Sequence, residues 1–398
     1  MADGITRIAV EGFKSIAKRQ EIEIAPLTIL AGANSSGKSS IMQPLLMLKQ
    51  TLEATYDPGP LKIDGENVTF TEAKEFLSRP NEEILDIEIG IGDKAALGLI
   101  FERIAPTSGL DIVEQRWTDD GQSGTLRSDR PGVASERFFL RADTGEDLSE
   151  PGRALLKGKE PPISLLRQLI QQVIHVPGLR GIRERLYPVA NTGPMFPGTF
   201  DHYHASLILL WQKDRGTAGH QLNLDLQAVG VAKSVFAHRV GDVAIDLRVG
   251  TVEHREDSIA DVGFGVSQVL PVLVALRAAE PGRLVYLEEP EIHLHPRAQT
   301  KLAEILADAA KRGVLVVAET HSTLLLTAIQ TLVAKGELGP DLVKLHWFQR
   351  DPKTGVTQVT SADLDENGAF GDWPEDFDAV ALDAEGAYLD AVEGRKVP

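Results

Sequence analysis

Eight consecutive residues, Gly32-Ala33-Asn34-Ser35-Ser36-Gly37-Lys38-Ser39, constrain this chain more than any other stretch. Two glycines five apart, followed by Lys and Ser, form the pattern of a phosphate-binding loop. The flanks agree with it. The apolar run Leu27-Thr28-Ile29-Leu30 predicts a strand before the loop, and the spacing of Ile41, Leu45, Leu48 and Leu52 predicts a helix over 39–52 after it. Pro44 falls inside that helix and removes one backbone bond, which points to a local kink and leaves the helix itself in place. In such a loop the glycines let main-chain N–H groups wrap phosphate oxygens, and the helix N-terminus adds positive potential. Lys38 reaches the terminal phosphates and the Ser39 hydroxyl suits Mg²⁺; Ala33, Asn34, Ser35, Ser36 and Ser40 complete the candidate binding stretch with Gly32 and Gly37.

At 398 residues the chain has room for two or three domains with a sizeable core. The absence of cysteine excludes disulfides, thiolate zinc sites, iron–sulfur clusters and a cysteine nucleophile. No apolar run is long enough for a membrane span, and Met1-Ala2-Asp3-Gly4 lacks the features of a signal peptide, so the expected location is the cytoplasm, with no membrane partner. A net charge of −17 disfavours a general polyanion binder. The charge is uneven, however: residues 363–393 hold eleven carboxylates and no Lys or Arg, leaving −6 for the rest. This acidic stretch carries Phe370, Trp373, Phe377 and Tyr388, which suits a packed extension better than a free tail.

Alternating apolar patterns predict strands at 5–10 and 21–24, then at 85–89, 97–104, 111–117 and 137–141 as an antiparallel sheet. Helices are expected at 163–174 and 205–212, and a strand pair at 235–249. From residue 267 the pattern becomes helix, strand (284–287), helix (297–311), strand (314–317) and helix, the mark of a parallel sheet covered on both faces. Two more strands are expected at 342–349 and 355–360. The expected organisation is an α/β nucleotide-binding core formed by 1–60 and 255–362, an inserted β-rich and helical region at 61–254, and the acidic extension 363–398.

Three further stretches suggest chemistry. The strand at 284–287 ends in Glu288-Glu289-Pro290-Glu291, which places carboxylates at the C-terminal end of a parallel strand, where open α/β sheets bind ligands. Glu288 would hold Mg²⁺ or its water, and Glu289 would orient or deprotonate an attacking water. The strand at 314–317 runs into Ala318-Glu319-Thr320-His321-Ser322, where His321 could bond a γ-phosphate or that water. Gly263-Phe264-Gly265-Val266-Ser267-Gln268 opens a helix and offers either a second anion site or a plain helix cap.

The order of phosphate loop, Gly/Ser/Gln turn, carboxylate pair and strand with His resembles an ATP-binding-cassette-type P-loop ATPase. The wide spacing between Lys38 and Glu288, the start Glu11-Gly12-Phe13-Lys14-Ser15-Ile16 and the run Leu287-Glu288-Glu289-Pro290-Glu291-Ile292-His293-Leu294-His295-Pro296 narrow this. They are similar to the bacterial SMC-like, RecF-like and OLD-like ATPases, which are not transporter subunits; Gly371-Asp372-Trp373-Pro374-Glu375 also recurs in that group. The resemblance covers 5–55 and 260–380, and more loosely 175–188. It implies a mixed sheet core and ATP with Mg²⁺ bound by Lys38, the loop amides, Ser39 and Glu288. It also implies Glu289 as the residue that activates water, His321 as γ-phosphate sensor, Lys14 beside the nucleotide, and a homodimer in which Gly265, Ser267 and Gln268 of one protomer face the phosphate loop of the other. His293 and His295 would lie on the interface loop. In this chain Glu288 stands where many relatives have Asp and Gly265 where they have Ser, and the linking-loop glutamine has no evident counterpart.

The implied role is an ATP-gated dimerisation switch, in bacterial antiphage defence with a separate nuclease or toxin effector, or in DNA repair. The alternative is a slowly hydrolysing or non-hydrolysing scaffold that holds a toxic effector inactive. An OLD-type nuclease domain does not fit in the 77 residues after His321, so no nuclease activity of its own is expected. Arg180, Arg183 and Arg185 offer a contact for nucleic acid or an acidic partner, or else ordinary solvated ion pairs.

Overall fold

The computed structural model describes residues 4–56, 58–79, 83–103, 110–127, 163–180, 185–214, 216–252 and 255–371. The expected strand at 137–141, Arg183, and the extension beyond 371 with Trp373, Phe377 and Tyr388 lie outside them; Phe370 is buried in the core.

The chain opens with strands β1 (Arg7–Glu11), β2 (Gln20–Glu23) and β3 (Leu27–Gly32), and β3 leads through the phosphate loop into α1 (Lys38–Leu52). The helix runs through Pro44 without interruption. The strands β4 (Ile84–Ile91), β5 (Ala95–Arg103), β6 (Leu110–Asp119) and β7 (Gln122–Arg127) follow. Next come α2 (Ile163–Gln171), β8 (Ile174–Val176), β9 (Tyr187–Pro188), α3 (His204–Lys213) and α4 (Thr217–Val229). A ribbon of β10 (Ser234–Val240), β11 (Ala244–Val252) and β12 (Arg255–Ser258) precedes α5 (Phe264–Ala278). The chain then alternates β13 (Leu284–Glu288), α6 (Pro296–Lys311), β14 (Leu315–Thr320) and α7 (Thr323–Ala334), and ends in β15 (Val343–Arg350) and β16 (Thr357–Asp363).

The central sheet has the order β16-β15-β3-β14-β13-β8; it is parallel from β15 to β8, with β16 antiparallel at one edge. Its strands are apolar on both faces because each face has a core of its own. Leu27, Ile29 and Ala31 of β3, with Val285 and Leu287 of β13, point into the core under α3 to α7. Leu30, Leu284, Tyr286 and Val317 point into the other core, with α1, α2 and the antiparallel sheet. That second sheet has the order β2-β1-β4-β5-β6-β7. The arrangement is the expected α/β class, a mixed sheet with helices on both faces.

Both sheets cross the expected domain limits. β1 pairs with β4, so one sheet spans residue 60, and β8 pairs in parallel with β13, so part of 61–254 belongs to the central sheet. The helix expected over 163–174 ends at Gln171, and Ile174, His175 and Val176 form a fully buried strand, an apolar run whose period alone does not separate helix from strand. Among the described residues no helix is long and apolar enough to cross a membrane.

Candidate functional site

The C-terminal ends of β3, β14 and β13 converge on one site. At the end of β3 the backbone takes a left-handed turn that glycine alone accepts without strain: Gly32 has φ 144°, and a Cβ there would collide with the Phe348 carbonyl. Gly37 caps α1 with φ 106°, and a Cβ there would lie 2.5 Å from Thr357 Oγ1. Between them Ala33, Asn34 and Ser35 are exposed, while Ser36 and Ser40 are buried against the fold. Thr357, fully buried at the start of β16, braces the loop from behind. Its hydroxyl donates to Ser36 O at 2.7 Å and lies 2.7 Å from Ser15 Oγ, and its amide donates to Ser15 O at 2.7 Å.

Lys38 folds over the mouth of the loop, and Nζ donates to the Gly32 and Ala33 carbonyls at 3.0 Å each. Burial lowers its pKa, against the opposing pull of Glu319, Glu289 and Glu291. Lys14, on a left-handed turn of φ 48°, donates Nζ to Gln43 Oε1 at 2.8 Å and sits 4.9 Å above the Phe70 ring. Burial lowers its pKa, and the field of Glu288 counters this.

Glu288 is held by residues far away in sequence: His175 Nε2 lies 3.1 Å from one oxygen, and the Gly178 amide donates to the other at 3.0 Å. His175 is fixed in turn by Asn67 Oδ1, 3.0 Å from Nδ1, and by stacking on Tyr286. Burial works against ionisation of Glu288, but His175, the Gly178 amide and Arg180 outweigh it and keep the carboxyl below its ordinary pKa. The Ser39 hydroxyl pairs with Glu319, at 2.9 Å, and the Tyr286 hydroxyl donates to the other Glu319 oxygen at 2.8 Å. Burial raises the Glu319 pKa.

Glu289 sits on a left-handed backbone of φ 43°, costly for a residue with a side chain. Arg180 is 0% exposed and holds this turn, its guanidinium donating to Glu288 O at 2.9 Å, Glu289 O at 3.0 Å and Pro177 O at 3.0 Å. Burial lowers the Arg180 pKa to about 10. Its place overturns the nucleic-acid or acidic-partner reading for this arginine, and Arg185 is an exposed ion pair with Asp261 at 2.6 Å. The Glu289 carboxylate stands 3.6 Å from His321 Nε2, both side chains about one-third exposed. Burial and the neighbouring Lys38 lower the His321 pKa, while Glu289 and the Gly32 carbonyl act in the opposite sense. Behind them buried Glu291 accepts from the Thr320 hydroxyl and the His321 amide, which fixes the start of the His turn.

The Gly/Ser/Gln turn divides its residues between two jobs. Phe264 is 45% exposed beside the His293 ring, and Gly265 packs near His293 and Leu294. Ser267 donates to Phe264 O at 3.0 Å. Gln268 is buried and donates to Arg180 O at 2.6 Å, which makes it a brace behind the carboxylate turn. His295 caps α6, and His293 takes a left-handed φ of 63°.

Among the described residues no group of three or more His, Cys, Asp or Glu side chains gathers to hold a metal ion alone. Ser39, Glu319 and Glu288 supply hard oxygen donors of the kind Mg²⁺ takes when waters and phosphates complete its shell, so the residues fit a Mg²⁺–nucleotide. Asn67, His175, Tyr286, Glu291, Glu319 and Thr357 are site residues that reading the sequence did not single out, and Arg180 was singled out only as a surface contact. Only Glu291 and Glu319 stood inside recognised motifs.

A family model described as an AAA ATPase domain matches residues 4–119, and one described as "AAA domain, putative AbiEii toxin, Type IV TA system" matches 235–327. Among solved structures, the SmcHead bound to the C-winged helix domain of ScpA is 14% identical (TM-score 0.47), covering 91% of this chain and 98% of that one. The SMC head domain from Thermotoga maritima is 12% identical (TM-score 0.44; 90% and 98% covered). The Pyrococcus furiosus Smc head domain with an extended coiled coil, bound to the C-terminal domain of ScpA, is 10% identical (TM-score 0.45; 98% and 99% covered). Comparison with curated proteins returns no match.

Proposed function

We propose that this chain, a P-loop ATPase with AAA-type ATPase sequence in both its N-terminal part and its 235–327 segment, binds and hydrolyses ATP and uses the cycle to close and open a homodimer. The observation that carries the reading is the meeting of Lys38, Glu289 and His321. The His321 ring faces Glu289 at 3.6 Å and is close enough to Lys38 and the Gly32 carbonyl to feel both, which supports reading the phosphate loop, Glu289 and His321 as one cleft.

In this reading the loop amides and Lys38 bind the β- and γ-phosphates, Lys38 exchanging its two carbonyl partners for phosphate oxygens. Mg²⁺, when bound, neutralises charge on those phosphates. Glu289 orients the attacking water and takes its proton, and the Arg180 clamp keeps that carboxylate aimed. His321, with its pKa lowered, is neutral at pH 7 and donates or accepts one hydrogen bond at the γ-phosphate side without adding charge. The exposed Phe264 and the open start of α5 suit docking against the phosphate loop of a second copy. A cytoplasmic role in bacterial antiphage defence, with a separate effector, is the pathway we favour; the toxin named in one matching family supports it.

The test is phosphate release by the purified chain with ATP and Mg²⁺, with Glu289→Gln as control. Turnover is expected to fall about 10²–10⁴-fold in the variant. Light scattering should show ATP-dependent dimers that persist in Glu289→Gln. Dimerisation without turnover in the unmodified chain would replace the ATPase with a nucleotide-loaded scaffold.

A further inference from the structure

The sheet order β3-β14-β13 puts β14 between the phosphate-loop strand and the Glu288 strand. Glu319 is the register partner of Leu30 on one side and of Glu288 on the other. At about 4.8 Å per strand, Glu319 lies one spacing from the phosphate-loop strand and Glu288 lies two. The short Ser39 side chain, one residue beyond Lys38, accordingly reaches Glu319 and bonds it at 2.9 Å.

The two carboxylates also differ in what already holds them. Both Glu288 oxygens have partners on the far side of the site, His175 Nε2 at 3.1 Å and the Gly178 amide at 3.0 Å. The Glu319 oxygens accept from two hydroxyls, and the buried Tyr286 hydroxyl fixes one of them so that the other faces Ser39. Two carboxylates paired across neighbouring strands, both mostly buried, repel each other, and this cost falls when a divalent cation binds between or beside them.

We infer that Glu319, rather than Glu288, is the carboxylate that shares the divalent cation with Ser39. Glu288, held back by His175 and Gly178, acts on the cation through water. Mg²⁺ commonly keeps several waters and takes only one or two protein carboxylates, which leaves room for this division. The inference rests on the nucleotide-binding reading above.

Mn²⁺, whose electron paramagnetic resonance signal reports bound and free ion, replaces Mg²⁺ in the test, with a non-hydrolysable ATP analogue on the full chain. Binding of a fluorescent ATP analogue without metal, together with thermal unfolding, establishes that each variant is folded and takes nucleotide. Glu319→Gln should weaken Mn²⁺ binding about tenfold or more, and Glu288→Gln at least about threefold less than that. Equal losses, or a larger loss in Glu288→Gln, overturn the assignment. Should Glu319→Gln fail to fold, Tyr286→Phe removes only the hydroxyl that aims Glu319: a loss of about threefold supports the assignment, and unchanged Mn²⁺ binding overturns it. An unmodified chain that binds no nucleotide overturns the nucleotide reading itself, a result that metal-free binding separates from the other outcomes.

Discussion

The two sides of the candidate site are built in opposite ways. The phosphate side is one continuous stretch, strand, loop and helix, and glycine takes its most demanding backbone angles at Gly32 and Gly37, with the exposed Ser35 as its one non-glycine left-handed residue at φ 61°. The carboxylate side is assembled from Asn67, 175–180, 286–291 and 319–321, and its left-handed positions are held by Glu289 and His293, residues that pay a conformational cost there. A local loop fixes its shape through residue type, whereas an assembled one needs outside contacts to hold it. Arg180 provides that contact for Glu289, and Thr357 adds a lighter brace to the loop.

The contrast predicts that the carboxylate side fails harder when its brace is lost. Arg180→Ala strips partners from three half-buried carbonyls and removes the buried cation that faces Glu291, and should cost about 3–5 kcal/mol in urea unfolding. A loss below about 1 kcal/mol would mean that the turn holds itself.

Acid should act next, through the sheet beside the phosphate loop. His346 on β15 bonds Glu23 O at 2.7 Å and Ser361 Oγ at 2.8 Å, an arrangement that suits the neutral ring, and burial lowers its pKa to about 4; His204 is lowered to about 4 for the same reason. Because the folded pKa lies below the unfolded value, the unfolded chain binds more protons between them. The stability contribution is therefore complete above about pH 6.5 and is lost as pH falls toward 4, on the order of 3 kcal/mol for each ring. Urea midpoints measured from pH 7.5 to 4 should fall accordingly, and His346→Gln should flatten the curve.

Thr357→Val removes the loop brace at nearly constant volume and should cost about 1–2 kcal/mol, with weaker nucleotide binding read by fluorescence titration. The smallest effect is expected at Gly265→Ser. A Cβ there meets nothing closer than 3.5 Å, so the change should stay within about 0.5 kcal/mol of the unmodified chain in thermal unfolding. A large loss would show that the turn is tighter than its contacts indicate.

What could be read from the sequence follows the same division. The phosphate loop, its strand and its helix were legible because spacing and residue type are local signals, and the alternating strands β4, β5 and β6 were legible for the same reason. β8 was hidden because Ile174-His175-Val176 continues an apolar run from a helix, and only pairing with β13 makes it a strand. His175 and Arg180 had no local mark: one is an ordinary histidine in an apolar stretch, and the other sat among arginines that looked like surface charge. Glu319 was inside a recognised motif, but its role depends on which strand lies between which, and a sequence does not state strand order.

Thr357 adds a consequence in time. The ribosome makes the phosphate loop early, and the hydroxyl that braces it arrives more than three hundred residues later, at the start of β16. The β14 and β15 neighbours of the loop strand also come more than 250 residues after it. During synthesis the loop therefore waits for these contacts while the elements between β3 and β14 are made. On the nucleotide-binding reading, a nascent chain is expected to capture nucleotide only once β14, β15 and Thr357 have been made.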